Sequence, residues 1–220
     1  MTAPAESREK ILGRIRAATQ TVANAPDVLT TAYSTLSRAY VRQGKLTPEA
    51  SIDLMIERLR EYDAEVVECF PAELPAAIAK QLAASGKHKF LSPSGIPSAW
   101  QVAGFDWKID HGLPTSEIEQ AEGVLTASSC GIADSGTIVL HHSPTEGRRV
   151  LTLLPDWHLC ILKASQVVET LPEYFTLFEH APPIVTWISG PSATADIEMT
   201  RIKGVHGPRF LHVILVRDIS

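Results

Sequence analysis

The stretch TPEASIDLMIERLREYDAEVVECFPAELPAAIAKQLAASGKHKFLS, residues 47–92, switches between helical and strand periodicity along its length and so decides the fold class. Thr47 can cap the unpaired amides of a helix, Pro48 suits a first turn and Glu49 favours the positive end of the helix dipole. A long helix is predicted from there to about Tyr62. Residues 64–70 read as a short strand, 74–84 as a helix closed by Gly86, and 89–92 as another strand. This alternation is the pattern of a parallel sheet covered by helices, and it makes the chain an α/β protein.

Towards the N-terminus, Ile11, Leu12, Ile15 and Ala18 recur at three- and four-residue spacing, with Arg14 and Arg16 turned outward. The spacing predicts an amphipathic helix over 7–19. Residues 24–43 carry a weak pattern that fits a helix or an irregular loop. Together these form an expected N-terminal helical arm, residues 1–46, ahead of an α/β domain over 47–220.

Towards the C-terminus, GVLTASSCGIADSGTIVLHH (123–142) holds two β-rich runs, 124–128 and 137–141, separated by Gly131, Asp134 and Gly136. They predict a turn between two strands or a long bent hairpin. Alternation then resumes, with a strand at 158–162, a helix over about 165–178, a strand at 184–188, a helix beginning near Thr194 and a closing strand at 210–216. No internal repeat or low-complexity tract divides the chain.

Of the 220 residues, 45% are apolar and 20% charged, ordinary for a globular chain able to bury a core. The net charge of −5 gives no positive field to draw nucleic acid or an anionic membrane. The longest apolar run, around 150–154, is far too short to span a bilayer, and MTAPAESREK has charges where a signal peptide needs an apolar core. No membrane insertion and a cytoplasmic location are expected. Cys69, Cys130 and Cys160 are odd in number and widely spaced, unlike a disulfide framework or a zinc or iron–sulfur site.

The sharpest local signal is PPIVTWISGPSATADIEMTRI, residues 182–202, where an apolar strand meets a Gly190–Pro191 turn and then Ser192, Thr194, Asp196 and Glu198. Open α/β sheets bind ligands beyond the carboxyl ends of their strands, which is where this turn is expected. Free amides at a helix start, with the Ser192 and Thr194 hydroxyls, suit a phosphate or carboxylate. Plain helix capping by the same hydroxyls, with the acids complementing the dipole, explains the letters equally. Asp196 and Glu198 oppose an anion, so a pocket of mixed polarity is expected in place of a phosphate cradle. His206, in GVHGP, is a turn histidine suited to acid–base work or simply to solvation.

A second constellation, GIADSGTIVLHHSP (131–144), surrounds Asp134, Ser135 and Thr137 with glycines that let backbone approach a ligand, or merely form a turn. His141 and His142 are adjacent, so a regular strand points them to opposite faces. With no HxH or HExxH spacing, Asp156 and His158 nearby do not make a metal site, and none is expected. A third stretch, SPSGIPSAW (92–100), again places Gly and Pro after a strand, with Trp100 as a packing anchor. GxGxxG, GxxxxGK[ST] and GxSxG are all missing, which removes the dinucleotide, nucleoside-triphosphate and serine-hydrolase templates.

The order GIADSGT (131–137), LLPDWHLCIL (153–162), GPSATADIE (190–198) and GVHGP (204–208) resembles the LUD-domain family, in particular its lactate utilization protein C type. The resemblance implies a mostly parallel sheet flanked by helices, like that of glucosamine-phosphate isomerases, ribose-phosphate isomerases and coenzyme A transferases (the NagB/RpiA/CoA transferase-like fold). It also implies an accessory or regulatory part in oxidation of L-lactate to pyruvate alongside iron–sulfur partner proteins. Three scattered cysteines are too few for a four-cysteine cluster, so no cofactor is expected in this chain and iron–sulfur clusters are expected on the partners. The motif positions give expected ligand-binding residues Gly131, Asp134, Ser135, Gly136, Thr137, Gly190, Ser192, Thr194 and Gly207. The alternative is a self-sufficient enzyme of the sugar-phosphate isomerase or coenzyme A transferase kind. In that case Asp196 or Glu198 is the base or nucleophile and His206 the proton donor. The accessory reading has a small organic acid or a partner bound at these loops, and the enzyme reading has a small organic acid or a sugar phosphate as substrate.

Overall fold

The computed structural model describes residues 4–23, 33–37, 39–178, 182–194, 202–204 and 206–219. The chain divides into two compact units, Met1–Tyr40 and Val41–Ser220. The first contains helix α1 (Pro4–Ala23), on which Ile11 and Ile15 are exposed.

The second unit is built on a six-stranded, all-parallel sheet. Its strands are β1 (Glu65–Cys69), β2 (Lys89–Pro93), β3 (Asp106–Asp110), β4 (Gly123–Ala127), β7 (Trp157–Lys163) and β12 (Phe210–Val216). They lie in the order β1-β12-β7-β4-β2-β3. The central strands β7 and β12 are nearly continuous apolar runs because helices and a second sheet cover both faces.

Strand alternation divides the core. On one face Cys160, Leu162, Val213 and Leu215 pack against Ile52, Met55, Ile56 and Leu59 of α2 (Pro48–Glu61). On the other, Leu159, Ile161 and Ile214 pack against Leu74, Ile78 and Leu82 of α3 (Leu74–Ala84). Both helices start and stop where local chemistry directs. The Thr47 hydroxyl accepts from the Ala50 amide at 3.2 Å, and Gly86, at φ +68°, closes α3.

The second sheet is mixed and four-stranded, in the order β8-β5-β6-β9. Its strands are β5 (Cys130–Ile132), β6 (Thr137–Leu140), β8 (Val167–Val168) and β9 (Thr186–Ile188). Ile138 and Leu140 join the α2 side of the core, while Cys130, Ile132 and Val139 meet Tyr174. Two short strands, β10 (Ala193–Thr194) and β11 (Ile202–Lys203), pair antiparallel.

Several sequence expectations need correction. Strands 124–128 and 137–141 are not a hairpin with each other. The first is β4 of the parallel sheet, and the second pairs with the short intervening β5. The helix expected over 165–178 shrinks to α5 (Leu171–Thr176), because Pro172 lacks the amide a longer helix would need, and Glu173 accepts from the Thr170 amide and hydroxyl to begin a new one. Val167–Val168 is thereby released to pair with β5. The strand expected at 184–188 lies in the second sheet, antiparallel to β6. Ala193–Thr194 is strand, and the rest of the helix expected to begin near Thr194 lies outside the described residues. The Ser192 amide donates to Pro208 O (2.8 Å) and Ser192 O accepts from Gly204 N (2.9 Å), which holds this segment beside the 204–208 turn. Strand β3 and the short α4 (Thr115–Ile118) were not expected, because neither has a clear apolar period.

Candidate functional site

A cleft of about 260 Å³ opens at the amino ends of β7 and β12. Its floor is His158 and Leu211, the second residues of those strands. One wall is the turn holding Arg149, Thr152 and Leu153, another is the run from Thr186 to Ala193, and the rim is His206, Gly207 and Pro208.

Three features build this cleft locally. Gly190 sits at φ +85°, and a β-carbon there would lie 2.6 Å from Tyr62 O, so both conformation and space require glycine. The Ser192 hydroxyl accepts from the His206 amide at 3.1 Å and fixes the rim. His158 is buried, with Nε2 2.8 Å from the Thr126 hydroxyl, and burial pushes its pKa down to about 4, so the ring is neutral at pH 7.

A hydrogen-bond relay backs the cleft where Arg149 and Thr186 meet. His142 Nδ1 is 2.9 Å from Gly147 O, a carbonyl that can only accept, so Nδ1 carries a proton and in the neutral ring Nε2 is the acceptor. Nε2 lies 2.8 Å from the Thr186 hydroxyl, which donates to it, and that same oxygen accepts from Arg149 Nη1 at 2.5 Å. His142 holds an unusual φ of +57°, a cost these two bonds offset. Among the described residues, Arg149 makes no ion pair with a carboxylate.

The opposite end of the sheet is closed by the chain itself. Pro144 O accepts from Gly95 N (2.8 Å) and Thr145 O from Ala127 N (3.0 Å), so the 143–147 turn covers the carboxyl ends of β2 and β4. A β-carbon on Gly95 would lie 2.6 Å from the Pro144 backbone. Glu146, 1% exposed, is the bolt of this plug, accepting from the Ser129 hydroxyl and the His141 (2.6 Å) and Ser143 (3.2 Å) amides. The 92–100 loop is therefore engaged in closure, with Ser92 buried and accepting from Gln101.

Of the residues singled out in the sequence, Gly190, Ser192, His206 and Gly207 come together at the cleft. Thr194 lies just beyond, in β10, and Asp196 and Glu198 lie outside the described residues. The 131–137 group stands behind the wall. Gly131 is buried against Leu162 and Met55, and Gly136, at φ +57°, backs onto Arg58. Asp134 and Ser135 are exposed, and the Asp134 amide donates to Glu169 O. A hydroxyl ladder, Ser135–Thr137–Ser189 with 2.7 Å steps, connects that group to the cleft wall. Arg149, Thr152, Thr186 and Ser189 escaped the sequence reading, since only the Leu140↔Thr186 register places His142 beside Thr186.

His141 and His142 take separate partners, Tyr174 Oη (2.8 Å) for the former. Among the described residues no group of three or more His, Cys, Asp and Glu is arranged to hold a metal ion. All three cysteines are free and buried, and burial pushes the Cys130 and Cys160 thiols up to about 12. Among the described residues, no helix is long and apolar enough to cross a membrane.

The LUD domain family profile matches residues 101–216. The chain is 41% identical over 166 residues to lactate utilization protein C of Deinococcus radiodurans, covering 73% of this chain and 76% of that protein. It is 31% identical over 195 residues to lactate utilization protein C of an Exiguobacterium species, covering 80% and 84%. Among solved structures, a DUF162 family protein from Deinococcus radiodurans superposes with a TM-score of 0.66 at 35% identity, over 79% of this chain and all of that one.

Proposed function

Because the chain belongs to the LUD-domain family, as a member of its lactate utilization protein C group, we propose that it is an accessory or regulatory subunit in the oxidation of L-lactate to pyruvate. In this reading it acts with iron–sulfur partner proteins and binds a small organic acid at the cleft. The observation that carries the division of labour is the state of its cysteines. There are only three, each is buried, and Cys130 and Cys160 are held firmly as thiols, so none is offered as a thiolate ligand to a cluster. Electron transfer then belongs to the partners, whose clusters would receive the electron pair removed from lactate.

The test is co-purification of the full chain with those iron–sulfur partners, followed by lactate oxidation with an artificial electron acceptor. Activity is expected from the assembly and not from the isolated chain. Turnover of lactate by the chain alone would remove the accessory role.

His206 at the cleft rim favours a second reading, a self-sufficient enzyme related to sugar-phosphate isomerases or coenzyme A transferases, with Asp196 or Glu198 as base or nucleophile. Single replacement of Asp196, Glu198 and His206 separates the two readings. Unchanged turnover of the substrate in all three would dispose of the enzyme.

A further inference from the structure

We infer that the cleft is a recognition site for a small monocarboxylate bearing a 2-hydroxyl or 2-oxo group, with Arg149 taking the carboxylate and Thr186 and His142 positioning its guanidinium. The choice of a 2-hydroxy or 2-oxo acid rests on the lactate-oxidation reading, whereas the anion site rests on the cleft itself.

Four observations converge. Arg149 lines the cleft, and of its five N–H groups one is committed to a described partner, the Thr186 hydroxyl at 2.5 Å. That hydroxyl has a single proton, which it gives to His142 Nε2 at 2.8 Å, and His142 is locked in this tautomer by Gly147 O at 2.9 Å. The bond to Thr186 restrains the guanidinium, so its remaining N–H groups lose less freedom on binding an anion. The Ser189 and Ser192 hydroxyls also line the cleft and offer polar contacts for a substituent next to the carboxylate.

Size and charge narrow the ligand. A volume of about 260 Å³ is below the range of drug-sized sites and suits a molecule of a few heavy atoms. A dianionic phosphate would want a second cation or a nest of free amides. The amides of Ser192, Gly204 and His206 are all spent on Pro208 O, Ser192 O and the Ser192 hydroxyl. Among the described lining residues, one guanidinium with surrounding hydroxyls matches a single negative charge.

The experiment is calorimetric titration of the full-length chain with L-lactate, pyruvate, acetate and inorganic phosphate. L-lactate or pyruvate is expected to bind, acetate more weakly and phosphate weakest. R149A should weaken the best acid by about ten- to a hundredfold, with R149K intermediate. T186V should weaken it by up to about tenfold and T186S should restore it, with melting temperatures confirming that all variants fold. Binding unaffected by R149A, no binding of any probe, or phosphate binding tightest would each overturn the site, and equal loss in T186S and T186V would overturn the positioning role. Co-purification of R149A with the iron–sulfur partners separates the two claims. Retained partners with no acid binding to the wild type would sink the site and leave the accessory role, whereas acid binding without partner association would do the reverse.

Discussion

The two ends of the parallel sheet are finished in opposite ways. At the carboxyl ends of β2 and β4, where open α/β sheets ordinarily receive ligands, the 143–147 turn fills the space and Glu146 bolts it shut. At the amino ends of β7 and β12 the second sheet and the 204–208 turn stand off from the strands and leave a cleft. The plugged end satisfies its polar groups internally, and the open end keeps a guanidinium and several hydroxyls facing the space. Where the cleft opens is decided by what the second sheet covers and not by strand direction.

The sharpest way to break this contrast is to remove the bolt. E146A leaves the Ser129 hydroxyl and two backbone amides without their buried acceptor, a loss of about 4 kcal/mol by urea denaturation. A change below about 1 kcal/mol would mean the plug opens to water and the two ends are alike.

Next in size is the floor of the cleft. His158 titrates near 6.5 when unfolded and at about 4 when folded, so between those values the unfolded chain binds more protons and stability falls as pH falls. The full effect is about 3 kcal/mol, present above pH 6.5 and lost by about pH 4. His141 and His212 are also pushed down by burial and add with the same sign. Urea midpoints measured from pH 7.5 to 4.5 should fall steeply for the wild type and more shallowly for H158Q, and parallel curves would show that His158 is hydrated.

The smallest effect concerns the wall. Gly190→Ala forces a side chain into φ +85° and against Tyr62 O, costing about 2 kcal/mol and displacing Ser189 and Ser192. Binding of L-lactate or pyruvate should weaken in this variant, and unchanged binding would show that this wall does not shape the cleft.

Much of the frame was legible because its signals are local. Thr47, Pro48 and Gly86 bracket α2 and α3 by capping chemistry that needs no tertiary context, and the apolar runs of β7 and β12 stand out for the same reason. The misreadings share a different origin. The 165–178 segment has helical spacing, yet Pro172 and the partner strand β5 claim it. Ser192 sits in a convincing cap sequence, yet Pro208 O takes its amide and Ala193–Thr194 is strand. For the site, GPSATADIE and GVHGP marked Gly190, Ser192, His206 and Gly207, but nothing in the letters marked Arg149.

The sequence by itself determined the α/β class, the family and the rim of the cleft, because capping, periodicity and motif spacing act within a few residues. Tertiary structure alone decided that the second sheet exists, that the carboxyl end is plugged, and that His142, Thr186 and Arg149 meet. Those contacts join residues up to 44 positions apart through strand pairing, and pairing register is a property of the whole packed core.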